Sequence, residues 1–187
     1  MFTTNLSRLS ASIFVISGIF FSQIDSASAL VWNWAYSAPG VEASGTLTTN
    51  DRPDDLGFYQ VTAITGSRND ESITGLHPTG TSIPGNEPFV LDNIISLNPE
   101  QLTGDGLGFS TDGGNFVNVF FADFLETPGY FEVFSAEPFI PGFENFGPED
   151  SEIPVSFSAS PIDIPEPTSI LGIILLGVFG GLLRVKH

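Results

Sequence analysis

The chain contains no cysteine, and its two histidines include only one, His77, between the hydrophobic ends. The lack of cysteine excludes disulfides, thiolate metal ligands and cysteine nucleophiles. One histidine is too few for a histidine-based zinc site. A hydrolytic triad would have to use His77, and the nucleophile pattern Gly-x-Ser-x-Gly does not occur in the chain. The sequence therefore offers no support for a secreted hydrolase, and we expect a protein that is not an enzyme.

Positive charge is also scarce, because 5 Lys and Arg residues stand against 22 Asp and Glu residues, for a net charge of −17. Only Arg52 and Arg68 lie between the hydrophobic ends of the chain. Such a chain repels phosphate backbones, which argues against nucleic acid as a partner. Acidic surface charge of this kind keeps an exported protein soluble.

Long hydrophobic runs are confined to the two ends. Near the N-terminus, Arg8 precedes the apolar residues 13–21, a run too short to span a bilayer. Ala27 and Ala29 supply the small residues that signal peptidase requires at positions −3 and −1. The pattern predicts a signal peptide over residues 1–29 that is cleaved after Ala29.

At the C-terminus, an uncharged apolar run over residues 170–183 follows a Pro-Glu-Pro sequence and precedes Arg184 and Lys186. We predict a transmembrane helix over about residues 168–184, whose basic end remains in the cytoplasm. Because the signal peptide is at the opposite end of the chain, the segment between them is expected outside the inner membrane.

This tail resembles the PEP-CTERM sorting signal of exported proteins from environmental Gram-negative bacteria and cyanobacteria. The matching residues are Pro165, Glu166 and Pro167 for the motif, 170–183 for the helix, and Arg184 and Lys186 for the basic cluster. The resemblance implies that an exosortase, a membrane-embedded protease-transpeptidase, recognises residues 165–187 and removes them near the motif. The tail is also labelled an ice-binding-protein C-terminal domain, which implies nothing about ice. A plain anchor that is never cut is the alternative, with nearly the same location.

The body of the chain reads as an all-β domain. Phenylalanine, glycine and proline are abundant, and short windows alternate between apolar and polar residues. Thr111 to Asn115, with two glycines between them, form the clearest hairpin turn. The pattern predicts a single β-sandwich, jelly-roll-like, over residues 30–157, followed by a linker over 158–164. The predicted strands are 31–36, 45–49, 58–65, 72–76, 89–95, 107–110, 116–121, 130–135 and 154–158.

The body also resembles other small exported proteins with this tail. The resemblance rests on residues 57–66, 73–76 and 117–120 and on the pair Asp92 and Asn93. The functions of those proteins are largely unassigned, so the likeness supports one β domain and implies no activity.

Two binding sites are candidates. Loop carboxylates of the kind that calcium prefers occur in several places, and Asp51, Asp54 and Asp55 are the best candidates for a structural Ca²⁺ site. Trp32, Trp34 and Tyr36 alternate along the first strand and would form a glycan platform if that face were open to solvent.

The leading hypothesis for the function is a non-enzymatic surface or matrix protein that is delivered to the cell envelope or the extracellular space. An association with polysaccharide is implied by the family resemblance alone. The alternative is a carbohydrate-binding β-sandwich module, which requires exposed aromatic rings. Burial of Trp32 and Trp34 would therefore count against that alternative.

Overall fold

The structure is a computed structural model that describes residues 29–140, 142, 147 and 149–162. Ala27, the Pro-Glu-Pro motif at 165–167, Arg184 and Lys186 lie outside the described residues, whereas Ala29 is exposed and directly precedes the first strand. All regular structure in the described part is β, which confirms the all-β prediction. Within the same residues no helix suited to crossing a membrane occurs.

Nine strands follow one another along the described chain, near the positions that the alternation predicts. They are β1 (Leu30–Ala38), β2 (Val41–Thr49), β3 (Phe58–Arg68), β4 (Glu71–Leu76), β5 (Ile94–Ser96), β6 (Leu107–Thr111), β7 (Phe116–Ala122), β8 (Gly129–Ser135) and β9 (Ser151–Ile162). The largest differences are β9, which has 12 residues where residues 154–158 are predicted, and β5, which is three residues long where residues 89–95 are predicted.

Eight of the strands close into an antiparallel barrel. The hydrogen-bonded order is β2-β1-β9-β8-β7-β6-β4-β3, and the ring closes because β2 also pairs with β3. The short strand β5 lies outside the ring and pairs with the first residues of β3. The predicted β-sandwich is therefore wrong. A closed barrel and a sandwich both bury one face of each strand, so alternation along the sequence does not distinguish them.

Side chains fill the interior of the barrel. Along β1, Trp32, Trp34 and Tyr36 point inward and are at most 3% exposed, while the residues between them face solvent. The indole of Trp32 packs edge-on against Tyr59, with ring centroids 5.5 Å apart. The ring centroids of Phe109, from β6, and Trp34 are 5.8 Å apart. The strands are therefore held together by a continuous aromatic and aliphatic core.

The chain enters and leaves the barrel at the same end, which we call the terminal mouth. Leu30 begins β1 there, and Val31 pairs with Ile162 at the end of β9. The loops over residues 50–57, 97–106 and 123–128 surround this mouth because they join strands at that end. The linker predicted over residues 158–164 is wrong up to Ile162, since residues 158–162 pair with β1.

Gln101 caps a strand edge at the terminal mouth. Strand β8 pairs with β9 only as far as Val155, which leaves the following edge of β9 without a strand neighbour on that side. The Gln101 side chain occupies this edge, donating to the Ala159 carbonyl oxygen at 2.7 Å and accepting from its N–H at 2.8 Å. The Tyr130 hydroxyl accepts from the Gln101 N–H at 2.8 Å. Leu102, 2% exposed, is consequently held in the core.

The opposite end, the turn mouth, carries short turns at residues 39–40, 69–70 and 112–115 and the longer β8–β9 connection over residues 136–150. Asn69 and Asp70 join β3 to β4 with φ of 46° and 68°, the left-handed pair that a two-residue hairpin favours. The predicted turn between β6 and β7 is confirmed, with a hydrogen bond of 3.0 Å from the Thr111 N–H to the Asn115 carbonyl oxygen. Gly114 there has a φ of 81°.

A glycine contact between β2 and β3 provides a test of the packing. Gly45 pairs with Gly66, and a Cβ atom on Gly45 would meet the carbonyl oxygen of Thr65. We expect Gly45→Ala to lower the free energy of unfolding by about 2 kcal/mol or more, because backbone must shift to accept the methyl group. Urea denaturation of the purified protein measures the change.

Gly75→Ala is the matched control, because Gly75 is also in a strand but a Cβ atom there has no neighbour within 4 Å. The free energy of unfolding of this variant should change by less than about 1 kcal/mol. Equal effects of the two substitutions would contradict the close approach of β2 and β3.

Candidate functional site

A charged cluster lies inside the barrel near the turn mouth. Arg68 from β3 donates two hydrogen bonds to Glu132 from β8, from Nε to Oε2 at 2.9 Å and from Nη2 to Oε1 at 2.7 Å. The hydroxyl group of Tyr36, from β1, donates a hydrogen bond to the same carboxylate. Glu132 is fully buried, so the three side chains form an interior charge cluster that links three separate strands.

The electrostatics of the cluster favour one fixed charge state. Burial, and then the charge of Glu132, raise the pKa of Tyr36 well above its usual value, so its hydroxyl stays protonated. Burial opposes the charge on Arg68, but the hydrogen bonds and charge of Glu132 outweigh burial and raise the pKa of that guanidinium. The guanidinium carbon also lies 4.0 Å from the centroid of the Phe134 ring. This arrangement holds charge in place and is suited to organising the core.

The burial of Trp32, Trp34 and Tyr36 corrects the glycan-platform hypothesis. All three rings face the barrel interior, and the Trp32 Nε1–H donates to the Thr49 hydroxyl at 3.2 Å. Glycan stacking needs an accessible ring face, which none of them offers. The alternation along β1 correctly placed the rings on one face, but that face is the core.

The acidic loop between β2 and β3 has a local structural use. Oδ1 of Asp54 accepts hydrogen bonds from the N–H groups of Leu56 and Phe58, both at 2.9 Å. Asp51 lies 4.0 Å from Arg52, and Asp55 is exposed. Among the described residues no group of three or more His, Asp or Glu side chains is arranged to hold a metal ion. The calcium site at Asp51, Asp54 and Asp55 stays a prediction.

His77 lies outside the barrel, in the segment that joins β4 to β5. Its Nε2 is 2.9 Å from the carbonyl oxygen of Ser82, and its ring meets Phe116 edge-on at 5.6 Å. Burial lowers the pKa of His77, which favours the neutral ring. These contacts describe a packed histidine rather than one aimed at a nucleophile.

Asn93 joins three parts of the fold. It is fully buried with a φ of 51°, a left-handed conformation that asparagine tolerates. Its side chain donates to the His77 carbonyl oxygen at 2.8 Å and accepts from the Gly108 N–H at 2.9 Å. Its own carbonyl oxygen accepts from the Val61 N–H at 2.9 Å. The pair at 92–93, which the sequence singled out by resemblance, therefore includes a residue that ties β3 and β6 to the segment that follows β4.

The outer face of β9, β1, β2 and β3 carries a shallow groove of about 800 Å³. Small side chains form much of its lining, because the strands present residues such as Ala35, Ser37, Ser44, Ser67, Ser156 and Ser158 to solvent. Glu42, Asn69 and Asp70 line it toward the turn mouth. Individually these residues read as ordinary surface, and only closure of the sheet brings them together. Sequence reasoning therefore missed the groove.

Removal of one charge from the interior cluster should be costly. We expect Glu132→Gln to lower the free energy of unfolding by about 3–5 kcal/mol, because Arg68 would remain buried without a counter-charge. Thermal and urea denaturation, followed by near-ultraviolet circular dichroism, report the loss.

The double variant Arg68→Met/Glu132→Leu should recover much of that loss, since it removes both buried charges. Arg52→Met is the control, because the side chain of Arg52 is 86% exposed and its ion pair with Asp51 is long, at 4.0 Å. That variant should change stability by less than about 1 kcal/mol. A double variant no more stable than Glu132→Gln would argue against an unpaired charge as the cause.

No protein-family model matches the chain, and comparisons with curated proteins and with solved structures give no match either. The functional interpretation consequently depends on the sequence signals and on the geometry described above.

Proposed function

We propose that the barrel is the delivered domain of an exported cell-envelope protein, and that it acts through its outer surface as a structural or polysaccharide-associated component. In this proposal the protein is not an enzyme. Signal peptidase removes residues 1–29, the C-terminal helix anchors the chain transiently in the inner membrane, and an exosortase cleaves near residues 165–167.

The observation that carries the proposal is the fit between the barrel and the predicted processing points. Strand β1 begins at Leu30, directly after the predicted signal-peptidase site, and β9 ends at Ile162, three residues before Pro165. Removal of the two hydrophobic ends would therefore leave every described strand intact. The adjacent positions of Val31 and Ile162 also let both processing sites project from the same mouth.

The filled interior supports an outward-facing role. The largest fully buried side chains include Trp32, Phe109 and Leu47, and the interior charge cluster satisfies its own charges. The outer groove, with its serine hydroxyls and the amide of Asn69, offers hydrogen-bonding groups of the kind that meet sugar hydroxyls. We therefore assign the polysaccharide contact to this groove, not to the aromatic rings of β1.

Intact-mass measurement of the protein from its native envelope tests the processing. With the exosortase present, the mature form should begin at Leu30 and end near residues 165–167. Without the exosortase, the same start should be combined with retention of residues 170–183. Co-precipitation of polysaccharide with the mature protein provides the second readout.

A Ser158→Phe variant should reduce co-precipitation, because it places a bulky ring in the groove. Thr74→Phe is the control, since Thr74 is exposed on β4 and does not line the groove. A mature form that still carries the tail when the exosortase is present would refute the sorting step. Equal recovery of polysaccharide with both variants would refute the groove assignment.

A further inference from the structure

Large apolar side chains protrude from the terminal mouth. Leu56 is 76% exposed, Leu97 61% and Phe124 73%, and each lies in a different loop of that mouth. Leu125, beside Phe124, is 39% exposed. The short turns of the opposite mouth present Gly40, Asn69, Asp70 and Asp112, and Ile140, 42% exposed, lies in the longer connection there. Among the described residues, four of the seven most exposed large apolar side chains therefore lie at the terminal mouth.

Contacts connect the protruding loops across the mouth. The register of Phe58 with Ser96 brings Leu97 beside the loop that carries Leu56. The chain after Leu97 then crosses toward β8, where the Tyr130 hydroxyl donates to the Pro99 carbonyl oxygen at 3.1 Å. Phe124 lies in the loop that leads into β8. An apolar surface can therefore meet all three tips at once.

The chain itself indicates which surface lies opposite. Five residues, 163–167, separate Ile162 from the predicted transmembrane helix. Even fully extended, that segment reaches only about 20 Å. A strand of nine residues such as β1 is about 30 Å long. While the tail is attached, the terminal mouth is therefore the end of the barrel that is held closest to the bilayer.

The acidic charge of the loops at the terminal mouth indicates which lipid headgroup they favour. Acidic residues accompany the apolar tips in the loops of the terminal mouth, and Arg52 is the only Lys or Arg there. They are Asp51, Asp54, Asp55, Glu100, Asp105, Asp123 and Glu126. An anionic bilayer would repel this mouth. The ammonium group of phosphatidylethanolamine can instead pair with carboxylates while the apolar tips enter the interface.

We propose that the terminal mouth docks on a phosphatidylethanolamine-rich bilayer, with Leu56, Leu97 and Phe124 inserted at the headgroup boundary. The inference rests on the sorting tail of the proposed function. It adds a direct contact between barrel and lipid, so that the domain is oriented on the membrane before its tail is cut and the turn mouth points away.

The test uses the full chain reconstituted in phosphatidylethanolamine vesicles that contain lipids brominated near the headgroup end of the acyl chain. Leu56→Trp and Phe124→Trp place fluorophores at the mouth, and Ile140→Trp, after β8 and 42% exposed, is the control. The signal of the buried Trp32 and Trp34 is measured in the unmodified chain and subtracted. Bromolipid quenching at positions 56 and 124 should exceed that at 140 by about twofold or more, as interfacial insertion requires.

Three further outcomes are decisive. Replacement of phosphatidylethanolamine by phosphatidylglycerol should reduce quenching at 56 and 124, and no reduction would overturn the assignment to this lipid. A chain that floats with the vesicles but shows equal quenching at all three positions would overturn docking and leave the tail anchor standing. Failure of the chain to float with the vesicles would overturn the membrane tail of the proposed function, and docking with it.

Discussion

The buried ion pair between Arg68 and Glu132 sets the strictest pairing requirement inside the barrel. A buried carboxylate and a buried guanidinium are tolerated only when they meet each other and their remaining hydrogen-bonding positions are occupied. Here the two side chains come from β3 and β8, and Tyr36 from β1 donates to the same carboxylate. The three strands approach from different positions around the ring, and the closed sheet brings the three side chains together.

Closure also explains which parts of the fold could be predicted from sequence. Alternation located nearly every strand, because most strands bury one face whatever the architecture, although β6 and β7 are largely buried on both faces. The ring itself depends on pairings between distant residues, such as Val31 with Ile162, which leave no local pattern. Residues 158–162 read as a linker because serine, alanine and proline dominate them, yet β1 supplies the partner that makes them a strand.

The candidate functional residues show the same difference between local patterns, which the sequence reveals, and long-range contacts, which it does not. The sequence identified the aromatic alternation of β1 but not the direction in which it points, since an interior and a platform share one pattern. It also could not pair Arg68 with Glu132, which are 64 residues apart. The groove and the terminal mouth escaped prediction because each gathers short, ordinary segments from several strands or loops. The sequence also predicts export and sorting signals, and these stay predictions because, apart from Ala29, their residues lie outside the described part of the chain.

The proposals assign different tasks to different parts of the barrel. In the proposals the apolar loops at the terminal mouth face the membrane while the tail is present, whereas the groove extends toward the turn mouth, where Asn69 and Asp70 line it. The filled interior is the rigid connection between these surfaces. On this account the barrel serves as an oriented scaffold between lipid and extracellular polymer.

Hydrogen–deuterium exchange along the seam between β1 and β9 tests the central claim, closure of the sheet, most directly. The account predicts slow exchange for hydrogen-bonded amides in residues 31–37 and 156–162, because each strand supplies the other's partners. Fast exchange throughout residues 156–162, with protection retained in β2 and β3, would show an open sheet with a free edge and contradict the account.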